Sequence, residues 1–389
     1  MRRKTHTVHI GDLPLGSDFP IRLQSMTNTN TMDTEATVAQ CIRIIEAGGE
    51  YVRITAQGVR EAEHLAVIKR ELHRRGYRNP LIADIHFNPK AAETAARIVE
   101  KVRINPGNYV DKKSTTPKIY TDSEYRVQYK YAAELERIHE RLLPLIKICK
   151  EYGAAIRIGS NHGSLSDRIV TRYGNSPQGM VEAAMEFLHI FEAESFNQVV
   201  LSMKASNVGV VIQSTRLLVE RMAQENMFYP LHLGVTEAGE GEDGRIKSAV
   251  GIGSLLMDGI GDTIRVSLTE PPEAEIPVAQ GILQACRLRI SKAEYISCPS
   301  CGRTQFDLQT TAAKIRERTS HLTGLKIGIM GCIVNGPGEM ADADYGYEGA
   351  GHGKITLFKQ HEIVKRNIPE EQAVEELVNL IKENGDWKE

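Results

Sequence analysis

The chain has 389 residues, 41% of them hydrophobic and 25% charged, with a formal net charge of -2. Such a balance suits a two-domain globular protein and gives no reason to expect nucleic acid or an anionic membrane surface as a partner. No apolar run approaches the ~20 residues of a membrane span, the basic start MRRKTHTVHIGD lacks an apolar secretory core, and six scattered cysteines suit a reducing compartment, so a cytoplasmic protein is expected, with a plastid stroma as the other compatible setting.

The first 270 residues alternate short apolar strands with amphipathic helices. Strands are predicted at 21–27, 51–55, 80–87, 101–105, 154–159, 198–204, 230–237 and 262–268, with helical patterns such as TEATVAQCIRIIEAGG (34–49) and VREAEHLAVIKRELHRRG (59–76) between them. Eight strands with helical crossovers predict an α/β fold, a (β/α)8 barrel over 1–270, with a doubly wound open sheet as the alternative. The crossover at 107–152 is longer than its neighbours. TEPPEAEIPVA (269–279) reads as a linker, placed at 271–280, and 281–389 as a small α+β domain.

One pattern recurs four times inside strands: VRIT, VRIN, IRIG and IRVS. A buried unpaired cation is costly, so Arg53, Arg103, Arg157 and Arg265 are expected at the strands' C-terminal ends, where a barrel carries its active site. Four converging guanidiniums call for a polyanion, and their planar forks match a diphosphate. The competing explanation is that each arginine pairs with a barrel carboxylate. Lys204, His232 and Ser267 sit at strand ends and would add donors. Asp84, His86, Asn105, Asn161 and Glu237 fall on the same face, with Glu237 a candidate general acid. There is no Walker A loop or post-strand G-x-G-x-x-G to cradle a nucleotide.

The second domain carries Cys298 and Cys301 in SCPSCGRT and a lone Cys332 in MGCIVNGPGE. A C-x-x-C with a third, distant cysteine suits zinc or an iron–sulfur cluster. The glycine-rich turn around Cys332 favours a cluster, because it lets backbone N–H groups approach an anionic centre. Three thiolates leave one metal position differently ligated. Glu339, an oxygen donor closing NGPGE, is the candidate for a displaceable fourth ligand. Cys41 and Cys149 fall on helix patterns and are expected to be buried small hydrophobes; Cys286 stays open as a ligand.

LQSMTNT, VRINPG, RIGSNHGSL, HLGVTEAG, GDTIRVSLT, SCPSCGRT and MGCIVNGPGE together resemble the 4-hydroxy-3-methylbut-2-enyl diphosphate synthases of the non-mevalonate isoprenoid pathway. The resemblance spans both domains. It implies a TIM barrel followed by a sulfite-reductase-like iron–sulfur domain, and a [4Fe–4S] cluster on Cys298, Cys301 and Cys332 with Glu339 as fourth ligand. It implies two-electron ring opening and dehydroxylation of 2-C-methyl-D-erythritol 2,4-cyclodiphosphate. Arg53, Arg103, Arg157, Lys204, Arg265 and Ser267 would bind the diphosphate, assisted by Asn105, Asn161 and His232, while Glu237 acts in proton transfer. It further implies flavodoxin or ferredoxin as electron donor and a homodimer in which the cluster domain of one chain faces the barrel of the other. About thirty residues separate the barrel motifs from CPSC, too few for the extra domain that some members carry between them. Two other readings remain at this point: a TIM-barrel lyase or aldolase acting on a sugar phosphate, with Lys204 as a Schiff-base lysine and a structural zinc, and a non-enzymatic redox sensor.

Overall fold

The computed structural model describes residues 2–111, 128–334 and 336–388; part of the long crossover, 112–127, lies outside them. The chain divides into two compact units, residues 1–289 and 290–389. Among the described residues no helix is long and apolar enough to cross a membrane.

The first unit contains the eight parallel strands that the sequence predicts: β1 Arg22–Met26, β2 Tyr51–Thr55, β3 Leu81–Asp84, β4 Lys101–Ile104, β5 Ala155–Asn161, β6 Val199–Lys204, β7 His232–Leu233 and β8 Thr263–Ile264. Their order is β6-β5-β4-β3-β2-β1-β8-β7. A parallel bridge between Leu201 and Leu231 joins β6 to β7 and closes the barrel. The strands are buried on both faces, as parallel strands under a ring of helices must be.

The barrel has a sealed end. An N-terminal hairpin, held by the Val8↔Leu15 bridge, packs Val8, Ile10 and Leu15 onto Tyr51, Ile82, Ala155 and Val200. Those four residues are the first or second of their strands, so the hairpin closes the N-terminal end. They also set the phase of the inward-facing positions. Because side chains alternate along a strand, Arg53 follows Tyr51 on the inside, Asp84 follows Ile82, Arg157 follows Ala155, and Ser202 and Lys204 follow Val200.

The helix Gln128–Tyr152 belongs to the long crossover. A buried ion-pair group accounts for where it lies. Arg168, on the helix Asp167–Tyr173, donates a two-pronged fork to Glu186 at 2.6 and 2.5 Å, and its Nε lies 3.4 Å from Asp111. Tyr131 Oη also donates to Glu186, and Arg137 to Asp111.

Residues 271–280, expected to be a linker, correct that expectation. They form a short 3-10 turn, Pro272–Ala274, and the start of a helix, Glu275–Ala285, inside the first unit. The prolines do not break it: Pro277 sits in the first turn, where no intrahelical N–H partner is lost. Ile276, Ala279 and Leu283 bury in the barrel core.

The second unit is a five-stranded sheet in the order β13-β12-β11-β10-β9, with β9 Glu294–Ser297, β10 Lys326–Met330, β11 Tyr345–Gly351, β12 Lys354–Lys359 and β13 Glu362–Pro369. Strands β9, β10 and β11 run parallel, whereas β12 and β13 are antiparallel additions. The helices Leu308–Thr319 and Glu370–Glu383 cover one face, burying Ile315, Leu377 and Ile381 against Ile327, Ile329, Tyr345 and Tyr347.

Candidate active site

The inward positions of the barrel gather basic side chains around few carboxylates. Arg53 donates from Nε and one terminal nitrogen to Met26 Sδ, at 3.1 and 2.9 Å, and stands 3.8 Å from Asp84. Arg103 reaches Asp84 at 3.2 Å and His86 Nε2 at 2.5 Å through one nitrogen, and the Gly159 carbonyl and Asn161 Oδ1 through the other. A Cβ at Gly159 would press into the Arg103 guanidinium, so a side chain there would displace Arg103 from these partners. Arg265 places its fork on Glu275 at 3.2 and 3.1 Å. Arg157 is completely buried and donates only to Ser202 Oγ, at 2.6 Å, which leaves Nε and a terminal nitrogen unpartnered.

Lys204 is buried in the same group, and His232 has Nδ1 3.4 Å from Thr263 Oγ1 while its Nε2 has no partner. Lys101 lies one inward step below Arg103. Its Nζ is buried, without a hydrogen bond, 4.8 Å over the Tyr51 ring. The sequence reading missed Lys101, although the period-2 spacing from Arg103 in KVRIN was the available signal. It also missed Met26 and Glu275.

These contacts set the protonation energetics. Burial alone would raise the Asp84 pKa, but Arg53 and Arg103 reverse that and hold the carboxyl well below its usual range. Burial pulls Arg53 down to about 10, still charged at neutral pH. Burial, and then the surrounding cations, push Arg157, Lys204, Lys101 and His232 well below their ordinary values. After burial, the shared contribution is a set of neighbouring basic groups that outnumbers Asp84 and Glu275. An anion entering the mouth would relieve that excess. The alternative explanation, one carboxylate for each arginine, fails at Arg157.

The remaining predicted residues are spread differently. Asn105 is committed locally. Its Oδ1 accepts from Gly107 N, capping the helix Pro106–Tyr109, and its Nδ2 donates to Ser164 Oγ at 2.7 Å. Glu237 is exposed after β7 with φ of 54°, a left-handed backbone uncommon for non-glycine residues. Ser267 lies in the turn after β8, half-buried.

In the second unit, Cys298 follows β9 by one residue and Cys332 follows β10 by two, so the two thiols leave adjacent parallel strands at the same end. Cys298 N donates to Ile329 O at 3.1 Å. Cys301 N donates to Thr304 Oγ1 at 3.1 Å, and Gln305 N to Gly331 O, which ties the C-x-x-C loop to the residue beside Cys332. A Cβ at Gly349 would come 2.5 Å from Gly331 O, so the strand beside this loop also has to be glycine there. Ser300, at φ of 74°, directs its N–H to Cys298 Sγ at 3.3 Å. None of the six cysteines is disulfide-bonded. Burial pushes the Cys41 and Cys149 thiols up to about 12, which fits their reading as inert core residues. Among the described residues no three His, Cys, Asp or Glu side chains already converge as a metal site, and Glu339 is exposed at the end of the short helix Gly336–Glu339. Three thiols free of disulfide bonds on neighbouring loops, one of them already accepting a backbone N–H, are a donor set that fits a soft-metal cluster.

Family comparison accords with both halves. Residues 5–280 match the model of the GcpE TIM-barrel domain and residues 294–383 that of the GcpE protein C-terminal domain. The chain belongs to the GcpE family. A GcpE relative from Parabacteroides distasonis, named 4-hydroxy-3-methylbut-2-en-1-yl diphosphate synthase (flavodoxin), is 43% identical over 608 positions, covering 99% of this chain and 98% of the relative. One from Bacteroides fragilis (strain ATCC 25285) with the same name is 42% identical over 611 positions, covering 100% and 97%. One from Crocosphaera subtropica, named the (ferredoxin) enzyme, is 52% identical over 389 positions, covering 99% and 94%. Alignments of 608 and 611 positions exceed the 389 residues here, so the first two relatives carry residues this chain lacks. The Crocosphaera GcpE protein shares the compact length.

The surplus charge gives a direct expectation. Inorganic diphosphate should raise the melting temperature of the purified protein. At a hundredfold excess over its dissociation constant, the stabilisation should be about 2.7 kcal/mol. Sulfate at equal ionic strength should do less. Equal shifts from both salts would indicate a nonspecific salt effect.

Proposed function

We propose that this chain is a 4-hydroxy-3-methylbut-2-enyl diphosphate synthase. It takes 2-C-methyl-D-erythritol 2,4-cyclodiphosphate, two electrons and two protons to 4-hydroxy-3-methylbut-2-enyl diphosphate and water. The observation that carries the reading is the surplus of buried basic side chains in the barrel, which suits a compact cyclic diphosphate, within a GcpE family whose relatives bear this name.

Arg53, Arg103, Arg157, Lys204, Arg265 and Ser267 would bind and orient the two phosphates. Asp84 would keep Arg53 and Arg103 facing the mouth, with Asn161 holding one Arg103 nitrogen. His232, pushed toward its neutral form by burial and by Lys204, would offer a ring N–H or lone pair and not a further charge. Glu237, the exposed carboxyl at the rim, is suited to bringing a proton to the departing hydroxyl. Asn105 would act indirectly, through the turn it caps.

Cys298, Cys301 and Cys332, with Glu339 as fourth ligand, would hold a [4Fe–4S] cluster. When bound, the cluster would relay the two electrons one at a time. These come from a flavodoxin or a ferredoxin, the two donors that the relatives' names specify. The working form would be a cytoplasmic homodimer, the barrel of one chain served by the cluster domain of the other, which sedimentation of the loaded protein tests. The sugar-phosphate aldolase reading requires an amine free for Schiff-base chemistry. Lys204 is an amine of lowered pKa that would suit it, but the relatives bear the diphosphate synthase name, which favours the reductive reading.

Anaerobic purification with iron and acid-labile sulfide analysis tests the proposal. About four of each per chain, with turnover of the cyclodiphosphate under a chemical reductant, is the expected result. One zinc and no sulfide would reject it. Glu339→Ala should retain the three thiolate ligands yet lose iron several-fold faster to a chelator, with lower turnover. Unchanged iron retention and full activity would remove Glu339 from the ligand set.

A further inference from the structure

Glu275 belongs to none of the motifs that carry the family resemblance, and its stretch of sequence reads as linker. It is only 2% exposed. One carboxylate oxygen accepts from Ser25 Oγ at 2.7 Å and from Arg265 Nε at 3.2 Å; the other accepts from Arg265 Nη2 at 3.1 Å and from Leu268 N at 3.2 Å. A single buried group therefore grips the arginine after β8, the turn that follows it, and β1.

We infer that Glu275 is a positioning residue for the diphosphate site, fixing the direction of Arg265 and the turn that carries Ser267. The inference rests on the reading above that Arg265 and Ser267 meet the anion. Glu275 occupies the Nε and Nη2 edge of the guanidinium. Nη1 makes a long hydrogen bond to Met26 Sδ, at 3.7 Å, which leaves its second N–H as the one to face a ligand. Arg265 therefore meets phosphate through a single edge whose orientation another residue sets. Besides Glu275, its electrostatic neighbours include Arg53, Arg157 and Lys204, all basic. Without Glu275, mutual repulsion would drive Arg265 outward on its flexible stem, and the Leu268 N–H would lose the acceptor that holds Ser267 in place. Deleting a negative charge from a cationic cleft acts the other way, since it favours an anion. Geometry and charge therefore predict opposite signs, which makes the experiment decisive.

Affinity for the cyclodiphosphate would be measured by calorimetry on the full-length, cluster-loaded protein, beside steady-state kinetics. Glu275→Ala should weaken binding about tenfold and raise KM to match, with kcat changed less than twofold. Glu275→Gln, nearly isosteric and still able to accept from Leu268 N, should fall between and guards against a folding failure of the alanine variant. In an Arg265→Ala background, Glu275→Ala should cost at most a further twofold, because the partner it acts through is gone. Unchanged or tighter binding by Glu275→Ala, or an equal loss in both backgrounds, would overturn the inference alone. A wild-type protein that bound no cyclodiphosphate would overturn the functional reading, and the inference with it.

Discussion

Replacing Asp84 with alanine is expected to lower the stability of the ligand-free protein by about 3–5 kcal/mol at neutral pH, the usual result of removing one partner from a buried ion pair. Asp84 is 4% exposed and stands between two guanidiniums, 3.2 Å from Arg103 and 3.8 Å from Arg53. Its loss leaves both facing Arg157, with Glu275 the carboxylate that still acts on Arg53. The removed carboxylate had also accepted a hydrogen bond, so a desolvated donor is stranded as well. The pH dependence has a definite sign. The folded-state pKa of Asp84 is depressed, so its contribution is fully present above the unfolded value of ~3.9 and is lost as pH falls through the lower folded value. Urea melts of wild type and Asp84→Ala should therefore differ most near pH 7 and converge toward pH 2. A gap below about 1 kcal/mol at pH 7 would mean that Arg53 and Arg103 do not depend on this carboxylate. Asp84→Asn retains an acceptor for Arg103 but no charge, and should lie between.

The strand pattern was legible because parallel barrel strands are short apolar runs with helices between them, and all eight appear where the apolar runs fall. The arginines were legible for the opposite reason: a charge between β-branched residues stands out. What local pattern could not show was pairing across the barrel. Glu275 stands within a run of prolines and acids that resembles solvated linker, yet its partners are Arg265, ten residues away, and Ser25, on the first strand. Met26 looked like ordinary core, whereas its sulfur accepts from two arginines. Asn105 shows the converse. Asn followed by Pro at the first helical position is an N-cap signal, and that local use occupies the amide a substrate would otherwise have met. For the thiols, C-x-x-C was legible, but the approach of Cys332 depends on β9 and β10 being adjacent and parallel, with 28 residues between them in sequence.

Arg157→Met should make the ligand-free protein more stable and the site worse. Arg157 is 0% exposed, and of its donors only one nitrogen has a partner, Ser202. Two buried donors without acceptors cost roughly 1–3 kcal/mol each, and burial next to Arg53 and Arg103 opposes the charge itself. Methionine follows the same stem with no polar head, and apolar replacement of buried charge is often stabilising by about 1–4 kcal/mol. Against this stand the lost Ser202 hydrogen bond, about 1 kcal/mol, and imperfect filling of the space. The net expectation is a gain of about 1–2 kcal/mol without ligand. Binding should move the other way, because a desolvated guanidinium aimed at phosphate is worth several kcal/mol; a loss of about two orders of magnitude corresponds to about 2.8 kcal/mol. Melting curves with and without the cyclodiphosphate read both effects on one sample. Wild type should start lower and rise on addition, and the variant should start higher and barely move. A variant that melts below wild type without ligand would make Arg157 a structural residue, with Ser202 and the barrel wall as its true partners. A variant that starts higher and still rises as far as wild type would place the diphosphate on the other arginines alone.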